Sequence, residues 1–188
     1  MTFPQPRPEI AALPPYAPGA RGDASVVPVK LASNERPNPP APGVADAIAF
    51  AGESVNRYPD MAVSRLYEAL AAKHGVDQAQ LAITGGSVAA IGHALQASAA
   101  PGSEVGVAGR SFEAYPILTM QAGATPVRVP LLPDARHDLD AMAAAITDRT
   151  SVLMVCSPNN PTGPAVTAEE FEAFMATVPD SVLVLLDE

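Results

Sequence analysis

Residues 152–188, VLMVCSPNNPTGPAVTAEEFEAFMATVPDSVLVLLDE, hold two apolar runs with a helical pattern between them. The first run, Val152–Cys156, has no polar alternation. The second, Val182–Asp187, stays apolar on both faces until it meets the carboxylates of Asp187 and Glu188. A strand without alternation is one covered on both faces, as in a parallel sheet. Between the runs, Thr167 and Glu170 stand at capping-box spacing ahead of a helix predicted over Ala168–Ala176. Strand, helix and strand in this order make a βαβ crossover. The last run is therefore read as a central parallel strand ending at the carboxyl edge of its sheet, where ligands of α/β folds bind.

The alternation continues upstream. Strands are predicted at Leu81–Thr84, Glu104–Ala108 and Thr125–Val129, and helices at Gly86–Ala99, Phe112–Ala122 and Leu139–Ile146. Asp138 is placed as an N-cap, and Gly123 as the stop of the second of these helices. A further helix, Ala62–His74, carries Val63, Leu66, Tyr67 and Leu70 on one face and ends at Gly75, and a short one spans Val44–Ala51. More than half of the 21 prolines fall within residues 1–43. Proline fixes φ and lacks a backbone donor, so this stretch reads as an extended arm that orders against something else, with no helix of its own. The expected fold class is α/β, a mostly parallel sheet preceded by an extended N-terminal arm. The division is arm and start of a small domain over 1–43, and part of a large domain over 44–188. The chain is expected to be a fragment, because no helix follows the last strand.

Composition removes several function classes. There are 11 basic and 20 acidic residues, a formal charge of −9, with no basic stripe for a nucleic-acid backbone. A single cysteine, Cys156, rules out an internal disulfide framework and any multi-cysteine metal site. No run approaches the length of a membrane span and no secretory leader pattern opens the chain, so a cytoplasmic protein is expected.

Four features fall at the carboxyl ends of predicted strands. In ITGGSVAA, residues 83–90, a glycine pair precedes a helix, an arrangement that turns backbone N–H groups toward an anion. A plain tight turn is the alternative. A dinucleotide fingerprint fails, because Ser87 and Ala90 stand where it needs glycines. RSFEAYP, residues 110–116, offers Phe112 and Tyr115, either to stack on a planar ligand or simply to pack. CSPNNPTGP, residues 156–164, is a proline-stiffened loop carrying the Asn160 carboxamide. Asp187 closes an apolar strand, so it is either solvated or paired with a buried cation. Other polar clusters read as bland: DARHDLD (134–140) as a solvated loop, His74 and His93 as surface or packing residues, and Cys156 as packing.

Taken with SNE (33–35) and NRYPD (56–60), these four features resemble the class I/II, fold-type I aminotransferases. The similarity is greatest to the histidinol-phosphate aminotransferase subfamily and its aromatic amino acid branch, which SFEAYPI resembles in particular. The resemblance covers Tyr16 to Glu188 and implies a pyridoxal-phosphate-binding large domain. It implies that Gly86, Ser87 and the Val88 amide bind the cofactor phosphate. Phe112 would stack on the cofactor ring, Asn160 would bond the ring hydroxylate, and Asp187 would pair with the pyridinium nitrogen. Tyr58 would reach the cofactor phosphate of a second subunit, implying a homodimer, and Tyr16 and Asn34 would face the substrate. The implied activity is transfer of an amino group between an amino acid, of histidinol-phosphate or aromatic type, and a 2-oxo acid such as 2-oxoglutarate.

Gly85, Val88, Gly109 and Arg36 depart from the residue types usual in the family. Lys30 and Lys73 do not fit the motif of the lysine that holds the cofactor. The resemblance therefore places that lysine beyond residue 188, and the chain alone is expected to be inactive, with no catalytic residue of its own. A decarboxylating lyase of the same fold and a non-catalytic truncated relic remain the alternatives.

Overall fold

Strand β3, Thr150–Cys156, is buried from Val152 to Cys156, and the rest of the sheet is arranged around it. The computed structural model describes residues 6–13 and 34–188. Besides β3, its sheet contains β1 (Glu104–Ala108), β2 (Thr125–Val129) and β4 (Leu183–Asp187), in the order β2-β1-β3-β4, with every neighbouring pair parallel. Parallel neighbours need crossovers, and the helices α4 (Ser87–Ser98), α5 (Ala114–Gln121), α6 (Leu139–Ala144) and α7 (Ala168–Met175) supply or flank them.

The pleat of β3 sorts the core into two layers. Val152, Met154 and Cys156 pack with Ile91 and Leu95 of α4 and Tyr115 of α5. Leu153 and Val155 pack with Met142 of α6 and Phe174 of α7. Helices thus cover both faces, as the unalternating sequence of β3 requires. β4 differs from its expectation. It pairs on one side only, with β3, and Leu183 and Leu186 are exposed, so within the described sheet it is an edge strand and not a central one. The predicted strand at Leu81–Thr84 is absent as well. These residues have no ladder partner among the described residues, and a strand exists only through pairing. The Ile83 N–H instead donates to the Tyr67 hydroxyl at 3.3 Å.

Local capping follows the chemistry of the sequence. Asp138 accepts the Ala141 N–H, and Thr167 and Glu170 form a reciprocal capping box. Gly123 follows α5 with φ 88°, a value glycine adopts without strain. In the arm, Pro8–Ala11 forms one helical turn, α1, where extended chain was expected. Pro8 is the reason. At a first helical position its fixed φ is already suitable and its missing N–H is not needed. Arg7 ties this turn to α5 by donating to the Gln121 carbonyl at 2.7 Å. That turn and Thr84–Glu188 belong to one unit, whereas described residues from 34 to Ile83 belong to another. The second unit holds α2 (Val44–Gly52), α3 (Ser64–His74) and a 3-10 turn at Gln78–Gln80 boxed by Asp77. Of the face predicted on α3, Tyr67 and Leu70 are half-buried, whereas Val63 and Leu66 are exposed.

Gly106, in the middle of β1, sits opposite Leu153 of β3, and a Cβ there would overlap the Leu153 side chain. Leu153 is enclosed and has little room to move. Gly106→Ala is expected to destabilise the protein by about 1–3 kcal/mol. The loss would be read as a lower denaturant midpoint, partly recovered when Leu153→Val is added.

Candidate functional site

Because all four strands run the same way, their carboxyl ends share one edge, and three of the sequence features meet there. Cys156 and Asp187 are register partners, and the Ser157 N–H donates to the Asp187 carbonyl at 2.9 Å. The loop 157–163 therefore leaves the sheet directly beside Asp187. The glycine turn leads into α4. Gly86 holds φ 111° and ψ 171°, a conformation essentially confined to glycine, with nothing within 4 Å of where a Cβ would stand. Backbone geometry is thus what demands glycine here. Thr84 Oγ1 braces the turn by donating to the Gly86 carbonyl at 2.7 Å. The Ser87 and Val88 N–H groups have no backbone acceptor among the described residues, as expected in the first turn of a helix.

A cavity of about 290 Å³ joins the start of α4 to Asp187, and the loop contributes Pro161 to an adjoining one. The polar groups of the first are Ser87, Tyr115 and Asp187, and Ala90, Ile91, Met154 and Leu185 help form an apolar wall. The Tyr115 hydroxyl donates to Asp187 Oδ2 at 2.6 Å, which leaves Oδ1 without a partner among the described residues. Burial first, and the bond to Asp187 second, hold the Tyr115 phenol well above its ordinary pKa, so it remains a proton donor.

Phe112 lies elsewhere. It lines an adjoining cavity of about 580 Å³ with Arg110, Ser111, Arg128 and Pro161, and only Tyr115 borders both spaces. Phe112 meets Tyr115 edge-on, with ring centroids 5.5 Å apart and planes at 88°.

In the proline-rich loop the two asparagines behave differently. Asn159 is enclosed and fully engaged. Its Nδ2 donates to the Arg110 carbonyl at 2.9 Å and to Thr162 Oγ1 at 2.7 Å, and its Oδ1 accepts from Ser111 Oγ at 2.7 Å. Thr162 passes the network on, donating to the Ala135 carbonyl at 3.0 Å. Asn160 is half-buried, and its carboxamide makes no hydrogen bond among the described residues, so it remains available to a ligand. Asp134–Asp140 is not uniformly solvated as expected. His137 is buried, with Nε2 at 2.8 Å from the Cys156 carbonyl and Nδ1 without a partner among the described residues. The sequence reading missed Asn159 and His137. An Asn ahead of a stiff turn, and a His one residue before an N-cap, were the only local signals.

Tyr58 and Asn34 are exposed and belong to the other unit, and Tyr16 lies outside the described residues. Val88 is 45% exposed. Among the described residues no group of three His, Cys, Asp or Glu side chains could hold a metal ion, and no helix is long and apolar enough to cross a membrane.

Residues 26–188 match the family model described as aminotransferase class I and II. Aromatic amino acid aminotransferases from Streptomyces avermitilis and Streptomyces coelicolor are 52% and 51% identical to the chain, each over 100% of it and 52% of the relative. The chain therefore spans about half the length of the curated relatives it matches. Among solved structures, histidinol-phosphate aminotransferase from Sinorhizobium meliloti, in complex with pyridoxal-5'-phosphate, superposes with a TM-score of 0.75 at 29% identity. That match covers 79% of this chain and 41% of the other. N-succinyldiaminopimelate aminotransferase from Mycobacterium tuberculosis gives a TM-score of 0.65 at 36% identity, over 77% and 40%.

Asn159→Ala would leave the Ser111 hydroxyl and the Arg110 carbonyl without their partner, at an expected cost of about 2–3 kcal/mol. Hydrogen exchange should show the Gly163 amide, which donates to the Asn159 carbonyl, losing protection first. His137 gives a pH dependence. Burial depresses its pKa below 6.5, against the opposing bond to the Cys156 carbonyl. The unfolded chain therefore takes up this proton before the folded one does. The contribution is present above about pH 6.5 and lost as pH falls below it. Denaturant titrations from about pH 7 to about pH 5 should show a shallower acid loss in His137→Gln than in the parent.

Proposed function

Because the chain belongs to the aminotransferase class I and II family, we propose that it forms part of a pyridoxal-phosphate-dependent transaminase. Its substrates are an aromatic amino acid and a 2-oxo acid such as 2-oxoglutarate. The observation that carries this reading is the cavity that places Asp187, paired with Tyr115, in the same space as Ser87 at the start of α4. Identity of 52% to an aromatic amino acid aminotransferase along the whole chain supports the choice of substrate class.

The donor set suits the cofactor. Unengaged amides and a hydroxyl at a helix N-terminus match a phosphate dianion. The apolar wall of Ala90, Ile91, Met154 and Leu185 matches the faces of a planar ring. A carboxylate with one oxygen already fixed and the other open matches a protonated ring nitrogen. Bound there, pyridoxal phosphate supplies an electron sink that allows an amino group to move between carbon skeletons.

The chain's own residues do the holding. Gly86, Ser87 and the Val88 amide take the phosphate, and Asp187 retains the proton on the ring nitrogen. Asn160 donates its unengaged amide to the ring hydroxylate, and Phe112 contributes its ring from the adjoining cavity. Tyr58 is assigned to the cofactor phosphate of a second copy, which makes the working protein a homodimer, and its 96% exposure leaves it available for that contact. Tyr16 and Asn34 are assigned to the substrate. The division proposed is arm and start of the small domain over 1–43 and large domain from 44 onward, in a cytoplasmic protein.

The test is amino transfer by the complete protein from tyrosine or phenylalanine to 2-oxoglutarate, with histidinol phosphate as the competing donor. Turnover that requires added pyridoxal phosphate and favours the aromatic donors is the expected result. A protein that binds no pyridoxal phosphate overturns the reading. Asp187→Asn should lower kcat/KM by about a hundredfold or more while cofactor is still bound, because a neutral amide no longer holds the ring nitrogen's proton. Activity close to the parent's would remove Asp187 from the site.

A further inference from the structure

We infer that Tyr115 is a positioning residue for Asp187, its phenol fixing one carboxylate oxygen so that the other is presented to a cationic ring nitrogen in the cavity. The inference rests on the proposed function and assigns a task to a residue to which the family resemblance gives none. The hydrogen bond links α5 to the last residue of β4, and at 2.6 Å it lies in the range of a charge-assisted O–H···O⁻ contact. Within the described sheet β4 pairs with β3 alone, and the Asp187 side chain is held from off the sheet, by Tyr115.

The choice of a phenol has a chemical consequence. An Arg or Lys at this position would orient the carboxylate but also neutralise it. A His would change its donor capacity within the working pH range. A neutral phenol, held well above its ordinary pKa by burial, orients Asp187 at any working pH and leaves its charge for the ligand. Little else competes for that charge. α4 presents Ser87, Ala90, Ile91 and Ala94 to the cavity, none of them titratable, and β3 adds only the Cys156 thiol near the phenol. His93, also on α4, is exposed and does not line the cavity.

Packing alone would explain a buried aromatic ring, and Tyr115 is 1% exposed. Tyr115→Phe therefore separates the two roles, because it keeps the ring and removes the bond. The probes are pyridoxal 5'-phosphate and its 1-deaza analogue, in which carbon replaces the ring nitrogen, titrated into the complete apoprotein. The variant is expected to bind pyridoxal phosphate about tenfold more weakly, the scale of one charge-assisted hydrogen bond, and to bind the deaza analogue as the parent does. In the Asp187→Asn background the same substitution should have no further effect on pyridoxal phosphate.

Equal weakening of both ligands would mark Tyr115 as packing and overturn the inference. So would unchanged affinity for pyridoxal phosphate, or an additive effect in the Asp187→Asn background. A parent protein that binds neither ligand overturns the proposed function itself, and that outcome is visible before any variant is made.

Discussion

β3 must be covered on both faces, and this requirement governs the rest of the unit. Val152 to Cys156 offer no polar side chain to water. The strand is stable only with neighbours on both sides and helices above and below, and β1, β4 and the two helix layers meet that demand. Parallel pairing with those neighbours then gathers the strand ends at one edge. Strand direction brings the 157–163 loop beside Asp187, and the glycine turn reaches the same cavity through α4, which packs on β3.

At that edge the electrostatics are set by neutral partners. Asp187 is approached by a phenol, Asn159 is surrounded by a carbonyl and two hydroxyls, and His137 meets a carbonyl. Arg136 pairs with Asp134 and Glu170, and Arg149 with Glu104, and none of these three ion pairs engages Asp187, Asn159 or His137. Neutral hydrogen bonds position groups without cancelling charge. A carboxylate at the end of a largely apolar cavity therefore keeps its attraction for a cation, which a guanidinium neighbour would have removed.

The sequence was most informative where the determining physics is local. β1 and β2 run over the residues predicted, the Asp138 cap and the Thr167–Glu170 box form, and the βαβ order follows from periodicity and capping alone. It was least informative where the partner is distant. Leu81–Thr84 has the composition of a strand, but composition does not provide a neighbour, and none pairs with it here. β4 has the composition of a central strand and, among the described residues, is paired on one side. The hydroxyl that meets Asp187 is 72 residues away, so the short string around Tyr115 cannot reveal it. His137 was obscured by charged neighbours, because burial of one residue in a polar run depends on what the loop folds over. The shared edge of the candidate site was legible, since Gly86, Asn160 and Asp187 all sit at predicted strand ends. The hydrogen bonds that hold it were not.

Those bonds divide the edge into engaged and open groups, and the division is itself an argument about function. Both amide functions of Asn159, the Tyr115 hydroxyl and the Oδ2 of Asp187 are committed to holding loops and strand ends together. The Asn160 carboxamide, the Ser87 and Val88 amides and the Oδ1 of Asp187 have no such engagement among the described residues. Unengaged polar groups gathered at one edge, beside an apolar cavity, are the groups a ligand would complete. Their chemistry is also mixed in a specific way: donors where α4 begins, an acceptor carrying charge at the end of β4, and an amide in the loop between. A ligand that satisfies them all must carry an anion, a protonated nitrogen and a polar substituent on one largely flat apolar body. Few small molecules meet those terms, and pyridoxal phosphate is one.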